Sequence, residues 1–130
     1  MLSGNDYKKN VYSQFGEDGI IQHFLDLIPP ERRTGRVIEF GAADGLFCSN
    51  TARLWLSGYE ALLIESDLVH YSELEKFKNS RVRTVQAKVD DLEDFTSEVA
   101  DVCSIDVDGN EYQILENLKT KHTILVVEHN

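Results

Sequence analysis

Basic residues are scarce in this 130-residue sequence: 13 lysines and arginines stand against 23 aspartates and glutamates, for a net charge of −10. A surface of that sign repels a phosphate backbone, which excludes nucleic-acid recognition built on phosphate contacts. Arg32, Arg33 and Arg36 form a small local exception that reads as a solvated loop. Cysteine is nearly lacking. Cys48 and Cys103 have neither the spaced partners of a zinc site nor a neighbouring histidine to activate them, so both read as free buried thiols. No apolar run approaches a membrane span, and residues 1–6 show no apolar leader core; the expectation is a cytoplasmic chain without membrane contact. Two phosphate-cradling signatures, G-x-G-x-x-G and G-x-x-x-x-G-K-[ST], are also missing, which disfavours the dinucleotide and P-loop readings.

What is present is a globular composition, 42% apolar and 28% charged, in a length that suits one domain with its own core. Residues 1–12 read as a polar lead-in and 13–130 as the domain. Ser13 is a candidate N-cap with Glu17 and Asp18 in the first turn. Ile20, Ile21, Phe24, Leu25, Leu27 and Ile28 then recur at helical spacing until Pro29-Pro30. Beyond the prolines the pattern alternates. Strands are expected over 37–40, 61–65, 82–89, 102–106 and 123–127, with helices over 49–56, 68–77 and 111–118 and a short helix or helical loop over 90–99. Runs such as Ala61-Leu62-Leu63-Ile64 are apolar on both faces, the mark of a parallel sheet covered above and below. The 82–89 stretch alternates and suits an edge. The fold class that follows is α/β: an open, doubly wound, mostly parallel Rossmann-like sheet of about five strands. An apolar edge at 123–127 predicts either a homodimer through that edge or a short-form adaptation. Trp55 and Tyr59 read as core, His23 and His70 as helical, structural or exposed, and His122 as part of a turn before the last strand.

The acids fall in an ordered way. Asp44, Glu65 with Asp67, Asp90 with Asp91, Asp106 with Asp108, and Glu128 each lie at or just past the carboxyl end of an expected strand. Ligands of open parallel sheets bind at those ends. Between Val37-Ile38-Glu39-Phe40 and Ser49-Asn50-Thr51, Gly41 and Gly45 allow a tight turn that a ligand can approach closely. Asp44 can accept from a ligand amine. Glu65, about 20 residues beyond Gly45, stands where a carboxylate accepts ribose hydroxyls. Asp90 stands where an adenine amino group would lie. Acids around the turn disfavour a polyphosphate. A ligand with a positive centre, an amine and a ribose fits better, and S-adenosylmethionine has all three.

These stretches resemble the class I S-adenosylmethionine-dependent methyltransferases, and more closely their FkbM-like group. The matching pieces are Ser13-Gln14-Phe15-Gly16-Glu17-Asp18-Gly19, Glu39-Phe40-Gly41-Ala42-Ala43-Asp44-Gly45 with Ser49-Asn50-Thr51, Leu63-Ile64-Glu65-Ser66-Asp67, Ser104-Ile105-Asp106-Val107-Asp108-Gly109 and Val126-Val127-Glu128-His129-Asn130. The resemblance implies S-adenosylmethionine as methyl donor. Its methionine part would lie among Glu39, Gly41, Ala42, Asp44 and Gly45, with Asn50 and Thr51 near the polar end. Glu65, with Ser66 beside it, would hold the ribose, Asp90 the adenine amine, and Asp106 would stand at the methyl-transfer mouth. The acceptor the group implies is a hydroxyl of a small molecule or sugar. The full family sheet has seven strands, so five, without the last two, imply a fragment, a natural short form or a protein completed by a partner.

Asp106, Asp108 and Glu128 are the candidate catalytic acids, with His129 as a further base candidate at a strand tip. The rival use of the three acids is to hold Mg²⁺. Two alternatives remain: a catalytically inactive module that binds S-adenosylmethionine or a protein partner, and an NAD-dependent enzyme, which the glycine spacing disfavours.

Overall fold

The structure is a computed structural model that describes residues 16–46, 49–88, 99–107, 114, 116 and 121–127. Its elements run α1 (Glu17–Asp26), β1 (Arg36–Phe40), α2 (Ala52–Leu56), β2 (Glu60–Glu65), α3 (Leu68–Leu74), β3 (Val82–Gln86), β4 (Val99–Ile105) and β5 (Lys121–Val127). The five strands form one sheet in the order β3-β2-β1-β4-β5, and every pairing is parallel. The fold is thus a Rossmann-like α/β sheet. Its order reverses between β1 and β4, the switch point at whose carboxyl ends open α/β sheets bind their ligands.

Alternation along the strands sorts the core into two layers. Val37, Ala61, Leu63, Val82 and Val102 pack with Ile21 and Leu25 of α1, Leu54 and Trp55 of α2 and Leu74 of α3. Ile38, Phe40, Leu62, Ile64, Cys103 and Ile105 line the other layer, where Ile114 packs. Helical residues therefore lie against both faces, as double winding requires. Phe40, Leu63, Val102, Cys103 and Ile105 are fully buried, each apolar side chain contributing about 1.5–3 kcal/mol. Trp55 is core as expected, 4% exposed, and meets the Phe77 ring edge-on at 5.3 Å. Cys103 is the free, buried thiol expected of it; Cys48 lies outside the described residues.

Several boundaries differ from those expected. The first helix begins at Glu17 and is capped by Gly16 in the left-handed region, with no side-chain cap bond; Ser13 lies outside the described residues. Glu17 and Asp18 do stand in its first turn. That helix ends at Asp26, ahead of Pro29-Pro30, because the residue before a proline avoids the helical region. α2 begins at Ala52 rather than at 49, since Ser49, Asn50 and Thr51 turn to bond β1. α3 tightens into a 3₁₀ turn over Glu75–Phe77. β3 is the edge strand expected and stops at Gln86.

β4 begins at Val99, the last residue of the expected 90–99 helix or helical loop, because Val99 and Ala100 extend the ladder to Lys121 and His122. His122 accordingly sits inside β5 rather than in a turn. The lead-in 1–12, the rest of the 90–99 helix and most of the 111–118 helix lie outside the described residues; Ile114 and Glu116 are helical. Among the described residues no helix is long and apolar enough to cross a membrane.

Candidate functional site at the carboxyl ends of the strands

The turn after β1 is made by three residues in the left-handed region: Gly41 (φ 82°), Ala43 (φ 51°) and Gly45 (φ 96°). A side chain at Gly41 would overlap the Asp106 carbonyl oxygen, so the turn lies against the end of β4. The amides of Gly41 and Ala42 both donate to the Ile64 carbonyl, at 2.8 and 3.0 Å, and the Asp106 amide donates to that of Phe40 at 2.9 Å. Behind the turn, a Cβ on Gly45 would approach Leu74 at 3.0 Å and Phe77 at 3.1 Å. β2, β4 and α3 thus enclose the turn on three sides. The amide of Leu46 donates to Asp44 Oδ1 at 3.0 Å, which tightens the turn's exit.

Glu65 ends β2 and reaches into this turn. Its Oε1 accepts the Ala43 amide at 2.7 Å, and its Oε2 accepts the Asp67 amide at 2.8 Å. One carboxylate thereby joins the ends of β1 and β2. A carboxylate has about four lone-pair sites, so these two bonds leave acceptor capacity on Glu65, which is 8% exposed. Ser66 is exposed just beyond, and its carbonyl accepts from Gln86 at 2.9 Å. Asp67 caps α3, accepting the His70 amide at 2.9 Å, and that bond holds its carboxyl below the usual range.

A second polar group lies inside the sheet layer. Glu39 is 3% exposed. Its Oε2 accepts from the hydroxyls of Ser49 at 3.0 Å and Thr51 at 3.2 Å, and its Oε1 accepts the Asn50 amide at 2.9 Å. Asn50 also donates to Ser104 Oγ at 3.0 Å, and Ser104 stands beside Glu39 in the β1–β4 register. Burial pushes the Glu39 carboxyl up to about 7; the three donors oppose that shift, and the charge of Asp106 adds to it.

The structure therefore brings the sequence-expected residues into two groups. Gly41, Ala42, Asp44, Gly45 and Glu65 form the turn, with half-exposed Asp106 adjoining. Glu39, Asn50 and Thr51 form a buried knot facing one another. Asp90, Asp108, Glu128 and His129 lie outside the described residues. Among the described residues no group of three metal-ligating side chains converges. Ser104, part of the matching 104–109 stretch, is given no site role by the sequence, although a serine interrupting an apolar strand is a signal, and Asp101 carries no sequence signal of its own. Asp101 is fully buried and accepts from the Thr34 amide at 2.7 Å, the Thr34 hydroxyl at 3.0 Å and the Gly35 amide at 3.0 Å, fixing the approach to β1.

Fold and site together define a Rossmann-like α/β domain with carboxylates gathered at its switch point. No protein-family model matches the chain, and no curated protein matches it significantly.

Proposed function

We propose that the chain binds S-adenosylmethionine at the β1–β4 switch point and transfers its methyl group to a hydroxyl of a small molecule or sugar. The observation that carries the reading is the Glu65 carboxylate set against the β1 turn, buried yet with acceptor capacity for a ribose diol. The donor set fits such a ligand: carboxylates of Glu65 and Asp106 suit hydroxyls, an amine and a sulfonium, and the acidic field of the chain favours a cation. Bound there, the cofactor supplies an electrophilic methyl group on sulfur. The chain's part is to orient the two reactants and to take the acceptor's proton, for which Asp106 is the described candidate and Asp108 and Glu128 its partners in the proposal. Mg²⁺ at the same acids is the subordinate version of that role.

A second reading is favoured by one observation. Both Glu65 oxygens already hold backbone amides, so the residue also works as a structural strut. On that reading the domain binds without turnover, or serves as an interaction module. A homodimer through β5 belongs to either reading. β5 is the edge of the described sheet, and Leu125 and Val127 on it are more than a third exposed. Sedimentation at micromolar concentration tests the dimer, and a monomer throughout removes it.

Thermal shift with S-adenosylmethionine, S-adenosylhomocysteine and NAD tests the main reading. Stabilisation by the first two alone is expected, with loss of that shift in Glu65→Gln, which retains one acceptor oxygen for the turn. Equal response to NAD, or none to any, rejects it. Transfer of labelled methyl to hydroxylated acceptors then separates enzyme from binding module.

A further inference from the structure

At the amino ends of the strands, away from the carboxylates of the β1 turn, the fold gathers charge of the other sign. The sequence places Arg36 with Arg32 and Arg33, but the structure separates them. Arg33 turns to the Ile28 carbonyl, donating from Nε at 2.9 Å. Arg36 instead joins Arg81 and Arg83, from the far side of β2, in lining a cavity of about 180 Å³. Strand alternation explains the meeting. Arg36 lies two residues before Ile38, and Arg83 two before Val85, and both of those apolar side chains belong to the same layer of the core. In register Arg36 stands beside Glu60, and Arg83 beside Leu62. Buried Ile38 and Leu62 line the cavity as well.

Three guanidinium groups around so small a space repel one another. The acid that lines it is Glu60, whose Oε2 accepts Arg36 Nε at 2.9 Å and balances one of the three charges. The lining therefore keeps an excess of two positive charges, in a chain whose net charge is −10. Donors remain too. A guanidinium carries five N–H donors. The side chain of Arg36 spends Nε on Glu60, and that of Arg81 spends Nη1 on the Gly58 carbonyl at 3.4 Å, which leaves the other donors of both for a ligand.

We propose that this cavity binds a phosphoryl oxyanion, as inorganic phosphate or as the phosphate of a small monoester. Arginine forks match phosphate oxygens in pairs. A dianion balances the excess charge, whereas a single carboxylate leaves half of it. The apolar side chains beneath exclude water and so strengthen the attraction. Size bounds the ligand. A volume of about 180 Å³ holds roughly six waters and falls below the about 300–1,000 Å³ of sites for drug-sized molecules. A phosphate with a few further atoms fits, and a nucleotide does not. The cavity and the Glu65 corner lie at opposite ends of the strands, so the proposal does not rest on the methyl-donor reading.

Amide chemical shifts of the protein test this, in separate titrations with inorganic phosphate, with phenyl phosphate, and with sodium chloride at equal ionic strength. Saturating shifts are expected with both phosphates at the Ala61 and Val82 amides, and none at those of Ala43 and Asp67. Arg81→Gln and Arg83→Gln, both at exposed positions, should each weaken phosphate binding about tenfold. Arg32→Gln, outside the cavity, should leave it unchanged. Glu60→Gln should tighten binding, because it removes the negative charge in the lining; if the Arg36–Glu60 pair only holds the strands together, the same change weakens binding or does nothing. Tighter binding of phenyl phosphate points to a small monoester, and equal or weaker binding to free phosphate. Shifts that do not saturate, that sodium chloride reproduces, or that persist with unchanged affinity in both Arg81→Gln and Arg83→Gln overturn the site, as does weaker or unchanged binding in Glu60→Gln.

Discussion

Gly41 and Asp106 touch backbone to backbone: a Cβ on Gly41 would overlap the Asp106 carbonyl oxygen and lie 2.6 Å from its carbon. Two chain segments 65 residues apart in number are thus joined by the lack of a side chain. Gly41 also has φ 82°, where an L side chain is strained. Neither neighbour can yield, because the Asp106 amide is itself bonded to Phe40. Gly41→Ala should therefore cost about 3 kcal/mol or more in urea unfolding, adding strain to overlap. A loss under about 1 kcal/mol would mean that the turn is free to shift.

The pH dependence of stability follows from Glu39. Its carboxyl is raised in the fold from 4.5 to about 7, so the folded state binds the proton more tightly than the unfolded chain. The stabilisation from that proton is fully present below 4.5 and is lost as pH rises through 7. It amounts to about 3 kcal/mol, at 1.36 kcal/mol per unit. The difference in unfolding free energy between Glu39→Gln and the native chain isolates this contribution. The variant should gain on the native chain by that amount between pH 4.5 and pH 8, and a constant difference contradicts the assignment.

Asp101 holds three donors of the segment leading into β1 while fully buried. Removing the carboxylate strands the Thr34 and Gly35 amides. Asp101→Ala should cost about 2–4 kcal/mol at pH 7. Thr34→Val, which deletes one of the three donors, should cost about 1 kcal/mol. Chemical denaturation of both variants checks the ranking, and a smaller loss for Asp101→Ala would reverse it.

Cys103 is buried without an activating neighbour, and burial pushes its thiol up to about 12. Thiolate is the reactive form. At pH 8 iodoacetamide should leave the Cys103 peptide unlabelled in the native protein and label it fully in urea, as read by peptide mass. Labelling of Cys103 at equal rates in both conditions would show that β4 opens readily.

Much of the fold was legible in the order of residues. Unbroken apolar runs at Val37-Ile38 and Ala61-Leu62-Leu63-Ile64 announced strands covered on both faces, and parallel pairing follows from that burial. Gly41 and Gly45 marked the turn, and Glu65 marked the tip of β2, because glycine spacing and strand length are local properties. The direction in which each carboxylate points is not local. Glu39 and Glu65 look alike in sequence, each an acid near the carboxyl end of an apolar run. Register sets Glu39 beside Ser104 and beneath Ser49, Asn50 and Thr51, where its bonds are internal. The end of β2 leaves Glu65 bridging two strand tips. The start of α2, the early start of β4 and the buried role of Asp101 were likewise decided by partners distant in sequence. Hydrogen bonds and burial between distant segments outweigh the weak local preferences from which helix and strand ends are read.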